Sequence, residues 1–414
     1  MENKRALPEL LAPAGSFDKL VTAIHYGADA VYLGGKQYSL RSRAANFDQA
    51  GLQEAVEYAH KYRVKVYVTL NIFATHADFD GLEDYFLFLR HAGVDGVIIS
   101  DPGILYVARK IIPEVEIHLS TQANVTNPAS VCFWGEQGVK RVNLARELSL
   151  AEISTIRQST SVELEVFVHG ALCISYSGRC MLSTYLTGRD ANRGDCAQPC
   201  RYSYRVVEEK RPDRYFPVEE DERGTYIFNS KDLCLLNRLP TLIGAGVDSL
   251  KIEGRVKSMG YVGQTVRVYR AALDWIRDNV SRGTSLENCV LPVEFSEEMK
   301  KIGTRGQSEN FADSSPDSSD MLYDEMRAPQ PWAPVGIVRS ASPLTMETRN
   351  LLRVGDEVEY LPRSIATQKV RITSITNAKG ESIERANPST LVEIASEPPI
   401  NDPEVNGIVR IIRK

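Results

Sequence analysis

Four of the chain's seven cysteines, Cys173, Cys180, Cys196 and Cys200, fall within twenty-eight residues at the spacing C-x6-C-x15-C-x3-C. Four cysteines so grouped hold either a zinc ion or an iron–sulfur cluster. Zinc knuckles favour short spacings on both sides, whereas one pair here is separated by six residues. That spacing suits a cluster, which spreads its ligands over more surface than one ion does. Around the cysteines, Arg179, Arg189, Arg193, Arg201 and Arg205 outnumber Asp190 and Asp195. The local positive excess would offset a thiolate-bound cluster or face phosphates. Cys132, Cys234 and Cys289 stand in apolar surroundings and read as packing residues; Cys234, in SKDLCLL, is the one that could substitute as a ligand.

The compartment bears on this reading. The opening MENKRALPEL has no apolar signal core, and no window of about 18 apolar residues could span a membrane. A cytoplasmic protein with no membrane contact is expected, and there clustered cysteines serve as metal or redox groups more often than as disulfides. The net charge of −5 gives no general attraction to nucleic acid, so any RNA contact must come from a local basic patch.

The elements that would position the cysteines repeat a simple rhythm. A short aliphatic run ends in small or polar residues, and an amphipathic stretch follows, as in Leu10-Leu11, then APAG, then SFDKLVTAIHYG with Ser16 as N-cap. Further runs are Ala30 to Leu33, Val64 to Leu70, Val97 to Ile99, Val115 to Leu119, Val142 to Ala145, Leu164 to Val168, Thr225 to Phe228 and Ser249 to Ile252. Alternating strands and helices predict a parallel sheet, and the missing GxGxxG disfavours a dinucleotide fold. The reading is α/β, an irregular (β/α)8 TIM-like barrel, with nine strand candidates for eight places. The recurring GAD and GVD before strands (residues 27–29, 93–95 and 246–248) read as helix-stop chemistry. Tyr202 to Glu220 reads as a hairpin insertion and Val262 to Val280 as a long helix. Domain boundaries are set at 1–302 for the barrel with its cysteine insertion and 303–332 for a Ser/Asp/Pro-rich linker. Residues 333–414 read as a small all-β barrel of about six strands.

Active sites of such barrels lie at the C-terminal ends of the strands. Polar residues placed there include Asp101, Glu147, Asn229 and Lys231. Asn71, Gln122, Arg146, Lys251 and Arg255 read as substrate-binding, and His169, Asp232 and Glu253 as catalytic candidates. Lys251, Glu253 and Arg255 alternate and share one face of their strand. They either form an ion network that closes the barrel end or cradle an anion. His169 is either a structural histidine or a base. No HExxH, P-loop or Ser–His–Asp order is present.

The pattern E-x-F-x2-G-A-L-C-x4-G-x-C-x-L-S, from Glu165 to Ser183, resembles the signature of peptidase family U32. The resemblance extends over LLAPAG (10–15), SDPG (100–103), STQAN (120–124), ARELSL (145–150), NSKDL (229–233) and SLKIEGR (249–255). It spans nearly the whole barrel and is closest to the branch that hydroxylates tRNA. Despite the family's label, the resemblance implies an oxygen-independent hydroxylase with a [4Fe–4S] cluster on Cys173, Cys180, Cys196 and Cys200. It also implies 5-hydroxyuridine formation at wobble position 34 of the tRNA anticodon loop, with prephenate as co-substrate. A partner protein of the same family belongs to the same expectation. Some relatives lack the last of the four cysteines and recruit a later one; this chain keeps Cys200, so Cys234 is not required. The alternatives are a peptidase or collagenase, a hydroxylase of ribosomal RNA or of a ubiquinone precursor, and a non-enzymatic RNA-binding protein using the β-domain.

Overall fold

A computed structural model of the chain describes residues 7–40, 45–173, 175–201, 205–208, 211–217, 229–302, 306–313, 321–322 and 331–412. Eight parallel strands close a barrel: β1 (Glu9–Pro13), β2 (Ala30–Leu33), β3 (Lys65–Leu70), β4 (Gly96–Ile99), β5 (Glu116–Leu119), β6 (Arg141–Asn143), β7 (Glu163–Gly170) and β8 (Ser249–Ile252). Closure runs through β8, whose Ser249 lies opposite Glu165 of β7 and Glu9 of β1. The ninth candidate, Thr225 to Phe228, lies outside the described residues. The short strands that follow it, Asn229–Ser230 and Asp232–Cys234, are not staves of the barrel.

The Gly-x-Asp repeats do more than end helices. Gly27, Gly93 and Gly246 take positive φ (93°, 76° and 80°), a conformation in which a Cβ would be strained. The aspartate two residues on then clamps the preceding strand. The N–H groups of Asp29, Asp95 and Asp248 donate to the carbonyls of Leu10, Val66 and Leu164. Their carboxylates accept from the N–H groups of those same residues, each at 2.8 Å. Three of the strand pairs are thereby pinned at their N-terminal ends, and strand pairing at that end sets which residues reach the other.

Helices α1 (Phe17–His25), α2 (Gln49–Lys61), α3 (Leu82–Ala92), α4 (Pro102–Ile111), α5 (Pro128–Glu136) and α6 (Leu150–Ser159) follow the first six strands. Asp101 is spent as the N-cap of α4, accepting from Gly103 and Ile104. Ser16 occupies the N-cap position of α1 without a side-chain bond. The short helix α7 (Leu182–Thr187) lies in the cysteine loop, and α8 (Leu239–Ala245), α9 (Met259–Ser281) and α10 (Val293–Lys300) complete the unit. The expected hairpin is present, Arg205–Glu208 pairing antiparallel with Arg211–Pro217.

A second closed barrel has the strand order β9-β10-β13-β12-β11-β14. Its strands are β9 (Trp332–Ala341), β10 (Leu344–Thr348), β11 (Glu357–Leu361), β12 (Gln368–Asn377), β13 (Leu391–Glu397) and β14 (Ile408–Ile412). Described parts of the stretch read as linker fold back on the first unit. Gln307–Ser308 pairs with Asp232–Cys234, and Met321–Leu322 with Asn229–Ser230.

The two barrels share a buried polar seam. Arg410 of β14 reaches Glu359 at 2.9 Å, Gln264 at 2.9 Å and Glu298 at 2.8 Å. Arg267 of α9, fully buried, donates to the carbonyls of Pro362, Ser364 and Ile365 and to Glu298. Gly263 allows the approach, since a Cβ there would lie 2.6 Å from Ile408. Among the described residues no helix is long and apolar enough to cross a membrane.

Candidate active site

The strand ends converge on a narrow cavity of about 40 Å³, room for about two or three waters. Five of the expected substrate-binding residues, Asn71, Gln122, Arg146, Lys251 and Arg255, line it together with Glu253. The alternation of Lys251, Glu253 and Arg255 therefore carries past the last residue of β8. Thr69, Ser120, Thr121 and Asn143, which the sequence reading passed over, line it too.

Below the cavity the barrel interior is ionic where such barrels usually carry layers of branched aliphatics. Lys251 Nζ lies 2.7 Å from Glu165 and sits over the Tyr32 and Phe167 rings. Arg141 bonds Glu9 at 2.5 Å and Glu163 at 2.8 Å and lies 3.7 Å from Glu165. Burial pushes the Glu165 carboxyl up, but the Lys251 and Arg141 charges more than offset this and hold it below its ordinary value. Lys251 is thus matched to Glu165, the residue that opens the family-like pattern, and not to Glu253. The signal for this was the inward alternation Glu165, Phe167 on β7, opposite Ser249 and Lys251.

Nearer the mouth, Arg255 donates to Ser39 and Thr69 at 2.8 Å and to Asn46 at 2.9 Å. Arg146 donates to the Ala171 carbonyl and stacks 3.9 Å over Phe167. Glu253 accepts from Tyr32 Oη at 3.2 Å, and Asn71 accepts from the Leu40 N–H. One carboxamide atom of each of two cavity residues, Asn143 Oδ1 and Gln122 Oε1, is buried with no partner among the described residues. A ligand hydroxyl or N–H would satisfy them.

The cysteine loop crosses the mouth and is tied down on several sides. Ser177 donates through N–H and Oγ to Glu147, both at 2.6 Å. Arg179 reaches the Gln122 carbonyl, Phe73 N–H donates to the Asn192 carbonyl, and Arg193 pairs with Asp78 at 2.8 Å. Hydrogen bonding from Arg193 holds the Asp78 carboxyl well below the usual range. Within the loop, Cys173 and Cys180 are hydrogen-bonded and Cys200 acts electrostatically on Cys173. That bond from Cys173, with Ser175 and the N–H groups of Leu182 and Ser183, lowers the Cys180 thiol to about 5. Leu182 N–H lies 3.4 Å from Cys180 Sγ and Gln198 N–H 3.3 Å from Cys196 Sγ. Among the described residues no three His, Cys, Asp or Glu side chains converge on a single ion-sized point. The Arg201 and Arg205 side chains lie outside the described residues.

Two of the catalytic candidates are not at the cavity. His169 is buried between Tyr261 and Tyr269, ring centroids 5.8 and 5.6 Å away, and neither nitrogen has a hydrogen-bond partner among the described residues. Burial lowers its pKa to about 4. The cause of its placement is a bulge: Lys251 faces Phe167, but Ile252 faces His169, skipping Val168. The extra residue reverses the alternation that would have turned His169 inward. Asp232, fully buried on a strand outside the barrel, faces Lys257 at 3.5 Å.

Fold and site define an α/β-barrel protein with a four-cysteine loop laid across the mouth where such barrels do chemistry. Residues 15–322 match peptidase family U32 and residues 331–410 the peptidase family U32 C-terminal domain. The chain belongs to peptidase family U32. It is 41% identical to tRNA hydroxylation protein P1 of Bacillus subtilis (strain 168), over 92% of this chain and 89% of that one. It is 40% identical to tRNA hydroxylation protein P of Escherichia coli (strain K12), over 73% of this chain and 74% of that one. It is 39% identical to the 23S rRNA 5-hydroxycytidine C2501 synthase of E. coli (strain K12), over 67% of this chain and 41% of that one.

Proposed function

We propose that this chain is an enzyme that hydroxylates tRNA, forming 5-hydroxyuridine at wobble position 34 with prephenate as co-substrate. A [4Fe–4S] cluster on Cys173, Cys180, Cys196 and Cys200 completes the reading. The observation that carries it is the four-cysteine loop fastened across a polar cavity, in a chain that aligns over most of its length with tRNA hydroxylation proteins. The donor set fits a cluster: thiols spread round a loop, with backbone N–H groups aimed at Cys180 and Cys196. When bound, the cluster would supply electron-transfer or group-transfer chemistry that side chains lack.

The chain's own residues then have separable tasks. Arg146 and Arg255 present guanidinium groups suited to a dicarboxylate such as prephenate. The Lys251 charge is matched by Glu165, so Lys251 shapes the cavity floor. Asn143 and Gln122 offer acceptors to a hydroxyl, and the Glu253 carboxylate at the Tyr32 hydroxyl is the group placed to hold a proton. The peptidase reading needs a thiolate paired with a base. Neither ring nitrogen of His169 has a hydrogen-bond partner among the described residues, so His169 forms no such pair with Cys173.

Nucleoside mass spectrometry of tRNA from a deletion strain tests the proposal. Loss of 5-hydroxyuridine-derived nucleosides is expected, with about four irons per chain in anaerobically purified protein. Persistence of the modification where no second family member can supply it overturns the tRNA reading. A change confined to 23S rRNA or quinone precursors would redirect it.

A further inference from the structure

The cysteine loop carries an outward-facing feature that the hydroxylation reading leaves unused. Exposed large apolar side chains gather on it: Tyr176 (55% exposed), Met181, Tyr185 (83%) and Leu186. Phe73, on the loop after β3, joins them. In α7 only Ser183 is buried, so this helix presents Tyr185 and Leu186 to solvent without using them for a core. Such a concentration marks a contact surface.

Charge and anchoring narrow the occupant. The exposed Arg179 side chain lies 5.8 Å from the Phe73 ring, and among the described residues its one hydrogen-bond acceptor is the Gln122 carbonyl. Among the described residues no carboxylate pairs with it, whereas Arg193 is matched to Asp78 and Arg189 to Asp195. Tyr176 is held by its neighbour Ser177, bonded twice to Glu147, and Phe73 by its N–H to Asn192. Exposed aromatic faces interleaved with an arginine that meets no carboxylate among the described residues match single-stranded nucleic acid, whose bases stack on rings while its phosphates meet the cation. Gln122 joins this rim to the cavity, since its carbonyl holds Arg179 and its side chain lines the pocket.

We infer that Phe73, Tyr176, Arg179 and Tyr185 form the rim that receives the unpaired loop of the RNA substrate, stacking the bases that flank the one presented at the cavity mouth. This rests on the tRNA reading above and names the surface that reading leaves open.

The test uses the full-length chain, purified anaerobically, and two labelled RNAs: a hairpin with an unpaired uridine in its loop and a fully paired RNA of the same composition. Tyr176→Ala and Tyr185→Ala each weaken hairpin binding about tenfold and leave duplex binding unchanged. Tyr185→Phe keeps the affinity, whereas Tyr185→Leu, apolar but without an aromatic face, does not. Arg179→Ala lowers the slope of log Kd against log salt by about one. Because Tyr185 is exposed, the variants melt as the wild type does. If the wild type binds the hairpin and the alanine variants bind it equally well, the rim is overturned and the tRNA reading stands. If the wild type binds neither RNA and tRNA modification survives deletion, both fall. Sedimentation showing self-association lost in Tyr185→Ala, with RNA binding intact, assigns the face to a second copy and overturns the inference.

Discussion

Lys251 and Glu165 illustrate how a buried ion pair constrains what a residue can do. Each is nearly inaccessible to solvent, and removing one leaves the other charged in a low-dielectric interior. Lys251→Met is expected to cost about 3–5 kcal/mol in urea denaturation, and adding Glu165→Gln to recover most of it. A double variant no more stable than the single would show that the pair is not the relevant coupling. His169 and His25 act through protons. Burial lowers both to about 4 from an ordinary value of 6.5. As pH falls, the unfolded chain therefore takes up protons before the folded one. Their contribution is complete above about pH 6.5 and is lost as pH falls towards 4, by roughly 3 kcal/mol for a fully buried histidine. Stability measured across that interval should decline in the wild type and less steeply in His169→Phe.

The Gly-x-Asp units show how a local motif fixes strand pairing. Asp95 closes a two-way bond with Val66 and also meets His60 at 2.9 Å. Asp95→Ala strips a strand N–H of its acceptor and should lower stability by about 1–3 kcal/mol, while Asp95→Asn, which keeps an acceptor, should cost less. Equal midpoints for the two in denaturant titrations would count against the clamp. The glycine half of the motif was legible from helix-capping chemistry alone. The aspartate half was not, because its partner lies on another strand. The bulge at Val168 is the same case: the run VELEVFVHG alternates cleanly, so only its pairing with β8 reveals that His169 turns outward.

The seam between the barrels makes the C-terminal domain part of one folded body and not a loosely tethered arm. Arg410 and Arg267, both essentially buried, find their oxygens across that boundary. Tyr26 of the first barrel donates to the Leu361 carbonyl and accepts from the Ile408 N–H. Deleting residues 332–414 would leave Arg267 and Glu298 with severed partners, so the remaining barrel should aggregate or melt well below the full chain. Arg410→Ala in the intact protein should cost about 3–5 kcal/mol. Calorimetry of the full chain should show one transition; two separated transitions would mean that the seam is weak.

Periodicity and residue chemistry within short stretches were enough to specify the four cysteines, eight of the strands, the hairpin, the long helix and the six-stranded second barrel. They also placed Asn71, Gln122, Arg146, Lys251, Glu253 and Arg255 at one end of the sheet, because side-chain alternation is written into each strand. Which charges oppose one another was decided by register across the closed barrel, where Lys251 meets a glutamate 86 residues away. Closure likewise brought Asn143 to the cavity, sent His169 and Asp232 elsewhere, and laid the cysteine loop over the mouth. Those outcomes depend on stagger, bulges and anchoring contacts between distant segments, and no local pattern encodes them.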